Sequence, residues 1–410
     1  MALDYAAPQY VVMVTDSDAL AVEAMIGDIT PLIREVTFEE SIDMADMIEL
    51  KIDNAKLPAD FPGGDEVRVA DTGLLQPGNQ IELWAGYPDV MSGVPTGSKL
   101  EPLGRGDIVA WTPQFSEDGE EVLTIRAYDR SHKMMLNHSH RAKTIGMPDS
   151  VLVSQIGQEY MCFPSKVGIT PPRKDPTTGR VKKKGTTDWD FIRKLGVMQG
   201  FRSKVYYDFG AGYWALQWDK PDYTRFAQPV CELEYGPPTF SLRSFDPDMT
   251  MVGTPTDFEL LGYDTATGKK VAIKQESTEK KKDPRVKPNT KKKDVQGEWE
   301  NASTLYFSAF GESFEIKTRR RFADQSAMQA YAEAIFAATQ EQWIMGSGTT
   351  IGDTRIRLDK VITLSGIGKR LSGDWRIAKA RHTFGSQGYV TEFQVHKIDT
   401  SSSVLTLDIL

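Results

Sequence analysis

Alternation with a period of two runs through most of this chain and narrows its fold more than any other feature. Met47-Ile48-Glu49-Leu50-Lys51-Ile52 places an apolar side chain at every second position. Glu35 to Glu39, Gln80 to Tyr87, Arg105 to Trp111 and Val122 to Asp129 do the same, and Tyr10 to Thr15 is a β-branched run. Successive strand side chains point to opposite faces, so this spacing sends one face to a core and the other to water. Strands at these intervals with turn residues between them predict an antiparallel barrel or sandwich.

The middle of the chain breaks the pattern. Asp149 to Met161 has helical character, with Val151, Ile156 and Tyr160 as core contacts. A Pro/Lys-rich loop, Gly168 to Gly185, then leads into Thr187-Asp188-Trp189-Asp190-Phe191-Ile192. Thr187 or Asp188 can cap a helix there by accepting from free backbone N–H groups. Trp189, Ile192 and Leu195 recur at helical spacing. Strand-like Lys204 to Asp208 and Tyr213 to Asp219 form the hairpin that follows.

Alternation returns at Glu232 to Tyr235, Ser241 to Phe245 and Asp257 to Asp264. The last ends in Gly262-Tyr263-Asp264 and echoes Ala127-Tyr128-Asp129, a weak internal repeat that fits two related β units. Ala323 to Trp343 reads as a helix capped by Asp324, with Met328, Tyr331, Ile335 and Phe336 in its apolar stripe. The predicted class is therefore mainly β with an α+β insertion. It comprises two antiparallel β-barrel domains at 1–134 and 226–399, a helical and hairpin middle domain at 135–225, and a tail at 400–410.

At 410 residues the chain can bury several cores, and its net charge of -8 argues against a dedicated nucleic-acid binder. Cys162 and Cys231 stand far apart, which suits a reducing cytosol. No apolar run reaches membrane-spanning length, and the first ten residues lack signal-peptide features. Between Lys269 and Asp294, eleven basic residues face four acidic ones, so the rest of the chain carries about -15. The lysines of that run, including Lys280, Lys281, Lys282, Lys291, Lys292 and Lys293, read as a solvated interstrand loop, or alternatively as an arm for an acidic neighbour.

Catalytic signatures are missing. There is no Gly-x-Ser-x-Gly, phosphate loop, His-Glu-x-x-His or dinucleotide fingerprint. His138 and His140, near His132, could share a strand face, but no Cys or carboxylate stands at metal-ligand spacing, and an exposed loop accounts for them better. Asp188 and Asp190 point apart on a helix, so capping explains them better than paired acid–base chemistry. No catalytic, cofactor-binding or metal-ligating residue is assigned.

Two separated segments carry a family resemblance. One is Thr187-Asp188-Trp189-Asp190-Phe191-Ile192 running on to Gly200-Phe201. The other is Thr354 to Ile377, with Gly366, Gly373 and Trp375, followed by Arg381-His382-Thr383-Phe384 and Tyr389 to Val395, which includes Phe393. Together they resemble the phage tail hub family, which includes late control protein D type hubs, baseplate ring proteins and the N-terminal part of type VI spike proteins. Gly86-Tyr87, Gly106-Asp107-Ile108, Tyr128-Asp129 and Asp43 to Met47 resemble further stretches of it, whereas Leu358-Asp359 departs from its usual turn. The resemblance implies a structural protein of the virion baseplate, assembled in the host cytoplasm. It implies a homotrimeric ring between a hexameric tail tube and a trimeric central spike, touching wedge or tape-measure proteins, with DNA only in transit. It places Asp188, Trp189, Phe191, Ile192, Gly366, Gly373, Trp375, His382, Tyr389 and Phe393 in structural roles, with His382 on a strand of the second barrel. No OB domain or β-helix follows the last strands, so a spike would be a separate chain. The alternatives are a tail-borne cell-wall hydrolase, to be seen by zymography, and a glycan-binding tail-tip module, to be seen on a glycan array.

Overall fold

The structure, a computed structural model, describes residues 8–15, 25–54 (without 43), 68–137 (without 72, 92 and 93), 141–172 (without 145), 180–220, 228–250 (without 239 and 240), 257–264, 269–275, 314–322, 328, 329, 331, 332 and 344–397 (without 370). The protein is mostly β. The first region contributes β1 (Gln9–Thr15), β2 (Met25–Asp28), β3 (Ile33–Ser41), β4 (Met47–Asp53), β5 (Gln80–Met91), β6 (Val94–Phe115) and β7 (Glu121–Tyr128). The middle region holds α1 (Ser131–Leu136), β8 (Arg141–Thr144), α2 (Asp149–Glu159), β9 (Phe163–Val167), β10 (Arg180–Lys182), α3 (Asp188–Val197), β11 (Arg202–Asp208) and β12 (Tyr213–Asp219). The last region adds β13 (Glu232–Glu234), β14 (Leu242–Met249), β15 (Asp257–Asp264), β16 (Lys269–Gln275), β17 (Phe314–Phe322), β18 (Ile344–Ile351), β19 (Val361–Ser365), β20 (Gly373–Gly385) and β21 (Gly388–Lys397).

Among the described residues, thirteen strands join in one sheet, whose main path is β14-β18-β21-β20-β3-β4-β7-β6-β5-β1-β2. Its centre is β20. One edge of β20 pairs with β21 along nearly its whole length. The other edge is divided: Gly373 to Arg376 pair with β19, and Lys379 to Phe384 pair with β3. The register slips between Ile377 and Lys379, which is where the partner changes. A single strand thus belongs to both β regions. A smaller sheet, β11-β12-β9, and a ribbon, β8-β10, lie in the middle region, and β16-β15-β17 forms a separate sheet.

Three apolar cores follow the alternation. Val36, Phe38, Ile48, Leu50, Ile125 and Leu83 fill the first, which Phe384 and Tyr389 enter from the far end of the chain. Trp189, Phe191, Ile192, Leu195, Trp214 and Trp218 dominate the second. Leu242, Ile344, Trp375, Ile377, Phe393 and Val395 make the third.

Some expectations need correction. Thr187, not Asp188, caps α3, its hydroxyl accepting from the Asp190 N–H at 2.9 Å. In α2 and at its C-cap, Ile156 is buried and Tyr160 packs against the core as expected, but Val151 is exposed and Leu152 and Val153 take the core positions beside it. Of the expected 323–343 helix, Met328, Gln329, Tyr331 and Ala332 are helical and the rest lies outside the described residues. The lysine-rich segment 276–294 with Lys280, Lys281, Lys282, Lys291, Lys292 and Lys293, the residues His138 and His140, and the tail 400–410 also lie outside them.

Candidate functional site

The residues singled out from sequence fall in three places. Asp188 opens α3 with its carboxylate fully buried. It accepts from Arg141 Nε and Nη2 at 2.7 Å each and from Tyr160 Oη at 2.5 Å, and it pairs with Lys182 Nζ at 2.7 Å. Burial alone would push this carboxyl up, but the bonds from Arg141, Lys182 and Tyr160 prevail and hold it below its ordinary value. Trp189, Phe191 and Ile192 pack into the core behind it.

In the last region, Trp375 is buried, donates from Nε1 to the Leu371 carbonyl at 3.0 Å and meets Phe245 edge-on at 5.2 Å. Phe393 lies in the same core. Gly366 has φ +78°, and its Cα lies so close to the Tyr235 carbonyl that a Cβ would collide with it. Gly373 has φ +123°.

His382 and Tyr389 form the third group, at the base of the first core. His382 is fully buried; its Nε2 lies 3.0 Å from the Ile356 carbonyl and its Nδ1 lies 2.8 Å from Tyr389 Oη. A carbonyl can only accept, so Nε2 carries the proton and Nδ1 accepts from Tyr389. Burial, with help from the Arg357 charge, pushes the imidazole down to about 4.

Sequence reasoning missed the cluster that ties the three regions together. Glu40 of β3 is buried and accepts from Arg357 Nε at 2.6 Å and Nη2 at 2.9 Å, and from Lys204 Nζ of β11 at 3.1 Å. Arg357 also donates to the Leu103 carbonyl at 2.6 Å and lies over the Phe38 ring, 5.2 Å from its centre. Lys204 approaches Asp46 at 3.7 Å, and the Asp46 N–H donates to Asp129 Oδ2 at 2.6 Å. Burial would raise the Glu40 carboxyl, but Arg357 and Lys204 hold it far below the usual range; burial raises Asp46 and Asp129. The turn that presents Arg357 fills the fork in the sheet: Asp359 N–H donates to the Ile377 carbonyl at 3.0 Å and Ile377 N–H to the Lys360 carbonyl at 2.9 Å. A cavity of about 340 Å³ lies beside the cluster, lined by Glu40, Asp46, Lys204, Tyr207, Phe209 and Arg357 among others. One signal was readable: Val36, Phe38 and Glu40 share a face, so Glu40 puts a charge where the alternation asks for an apolar residue.

The cluster joins residues of all three regions. The cluster's carboxylates are engaged by cations or backbone N–H groups. Burial pushes both Cys162 and Cys231 thiols up to about 12, away from the reactive thiolate. Among the described residues no group of three His, Cys, Asp or Glu is placed to hold a metal ion, and no helix is long and apolar enough to cross a membrane. His132 Nδ1 sits 2.8 Å from the Asp129 carbonyl.

Opposite the first and third cores, β14, β18, β21, β20, β3, β4, β7 and β6 present one mostly polar face, interrupted by Met345, Ile351 and Val390. Ser347, Thr349, Thr383, Thr124 and Thr112 lie on it by register. So do charged pairs: Lys51–Glu35, Arg126–Glu49 and Lys379–Glu39, each at 2.7 Å, and Arg381–Glu392 at 3.8 Å.

The sequence matches the family described as Alg8 N-terminal domain over residues 40–385, most of the chain. It belongs to that family. No curated protein matches it. Solved structures show whose fold the Alg8 N-terminal domain chain shares. A tail protein from Neisseria meningitidis MC58 superposes with a TM-score of 0.60 at 13% identity, over 95% of this chain and 96% of the other. The 43 kDa tail protein of a Shewanella oneidensis prophage gives 0.59 at 10% identity, over 95% and 99%. The PdpA–VgrG complex of Francisella gives 0.54 at 11% identity; 98% of this chain is covered but only 54% of that one. This member of the Alg8 N-terminal domain family therefore has a phage tail protein fold, shared with a chain of a VgrG complex.

Proposed function

We propose that the chain is a structural, non-enzymatic subunit of the baseplate hub of a contractile phage tail or a related injection particle. One observation carries this reading: the likeness to tail proteins runs end to end, over 95% of this chain and 96–99% of theirs. A shared part would indicate a common module; a shared whole supports a common role. In this reading three copies close a ring, each giving two β units, so that a pseudo-six-fold face meets the tail tube and a three-fold face meets the spike. Closed cyclic symmetry repeats one heterologous contact without leftover surface. Among the described residues β14 and β2 end the long sheet and offer edges for pairing between copies. Likeness to the PdpA–VgrG structure supports a spike as neighbour. Wedge or tape-measure proteins would pack outside or in the channel, and DNA would pass through it. The domain limits 1–134, 135–225 and 226–399 belong to the same proposal, as does assembly in the host cytoplasm before incorporation in the virion.

Negative-stain electron microscopy of the purified protein, alone and with its cognate spike, tests this. Three-fold rings with a central channel are expected. Monomers in both samples would overturn it and turn attention to the hydrolase and glycan-binding readings.

A further inference from the structure

We infer that the mostly polar face of the long sheet is a non-adhesive wall for double-stranded DNA, made so by pairing Lys51, Arg126, Lys379 and Arg381 across strands with carboxylates. This rests on the hub reading, which supplies a channel. The composition outside the lysine-rich run suggests bare acidic walls, but the face is built otherwise. Lys51, Arg126 and Lys379 each hold a carboxylate at 2.7 Å, and Arg381 lies 3.8 Å from Glu392. Three of these pairs join residues directly opposite in register: Lys51 with Glu35, Arg126 with Glu49, and Arg381 with Glu392. His396 shares the face, as do Asp246 and Asp248 of β14, which add negative charge at its margin.

The physics separates such a wall from a uniformly charged one. DNA is held when Lys and Arg neutralise phosphates and release condensed counterions. A cation already matched by a neighbouring carboxylate gains little by exchanging it for a phosphate. A wholly acidic wall would repel the polyanion and raise the barrier to entry, whereas a paired one is close to neutral at the spacing of a phosphate. Serine and threonine hydroxyls between the pairs keep the surface hydrated.

The test removes the partners and leaves the cations. The triple variant Glu35→Gln, Glu39→Gln, Glu49→Gln frees Lys51, Lys379 and Arg126. A control, Glu117→Gln, Asp190→Asn, Glu232→Gln, makes the same change in net charge at exposed sites away from the face. Surface pairs contribute little to stability, so both variants should keep the wild-type melting transition. Fluorescence anisotropy with a short DNA duplex should show no binding by wild type at low salt. The face variant should bind, with an affinity falling about 40-fold between 50 and 200 mM salt, the slope for roughly three phosphate contacts. The control should behave as wild type. Binding by wild type, or a face variant indistinguishable from the control, would overturn the inference. Ring formation is scored on the same preparations with and without the spike: rings with flat anisotropy sink this inference alone, whereas monomers in both samples sink the hub reading and remove the channel on which this inference rests.

Discussion

Lys182 and Asp188 face each other at 2.7 Å with both side chains fully buried. Lys182 ends β10, and Arg141, which grips the other side of the same carboxylate, begins β8 opposite it in register. The two-stranded ribbon thus clamps the start of α3 and fixes the far end of the basic loop that precedes it. Breaking a buried pair from one side leaves an uncompensated charge, at a cost of about 3–5 kcal/mol. Asp188→Ala should lower stability by that order in denaturant titrations, Lys182→Ala by less because Arg141 and Tyr160 still hold the Asp188 carboxylate, and the double variant should lose clearly less than the sum. Additive losses would show that the pair is not coupled.

Trp189 stands directly after that carboxylate and is almost wholly buried. Trp189→Ala should cost about 3–5 kcal/mol, as large aromatic truncations in cores do. An unchanged melting temperature would refute it.

The junction makes a parallel prediction about the assembly of regions. Arg357→Ala leaves Glu40 buried with Lys204 as its remaining cation, and is expected to destabilise by a few kcal/mol. It should also raise proteolytic cutting between the middle and last regions, since Arg357 and Lys204 reach Glu40 from different parts of the chain. Replacing Glu40 and Arg357 together with apolar residues of similar volume should cost less than either change alone. Limited proteolysis and melting curves on the three variants decide this.

Acid should weaken the fold through His382. Its folded value is near 4, below the ordinary imidazole near 6.5. As pH falls through 6.5 the unfolded chain takes up a proton that the folded one refuses, so stability declines until about pH 4, by on the order of 3 kcal/mol. Asp188 and Glu40 act lower: their values are depressed, so their contribution is complete above the ordinary carboxylate range and is lost as pH drops below it. Asp46 and Asp129 run the other way, since protonation relieves their burial. His382→Gln is expected to flatten the slope of melting temperature between pH 6.5 and 5, even while lowering its level; an unchanged slope would assign the effect elsewhere.

Two glycines from the second family segment should differ. Gly366→Ala meets both a left-handed backbone and the Tyr235 carbonyl, whereas at Gly373 an added Cβ meets only Lys397 Nζ, at 3.8 Å. Strain of about 1–3 kcal/mol applies to both. Gly366→Ala should therefore be the more destabilising, and equal losses would contradict the close approach.

The strands were readable because their signal is local. Met47 to Ile52 alternates, and Ile48, Leu50 and Ile52 are buried as the alternation requires. The capping of α3 was half readable: Thr187 and Asp188 both fit an N-cap, and only the position of Arg141 and Lys182 decides which one is free for it. The junction was not readable, because Glu40, Lys204 and Arg357 lie far apart in sequence and their meeting depends on how β20 divides its edge. The polar face was hidden for the same reason. Each strand shows which of its residues face water, but pairs such as Lys379 with Glu39 exist only once the register between β20 and β3 is set.

The divided edge of β20 has a mechanical meaning. A load applied along this strand passes between the two β regions without leaving covalent backbone, and the hydrogen bonds to β21, β19 and β3 share it in shear instead of opening one at a time. In the proposed hub, a subunit that must stay in shape while its neighbours contract and detach would gain from such a tie rod. Here the tie rod is thirteen residues long, Gly373–Gly385, and the Arg357–Glu40 bond locks it where it changes partners.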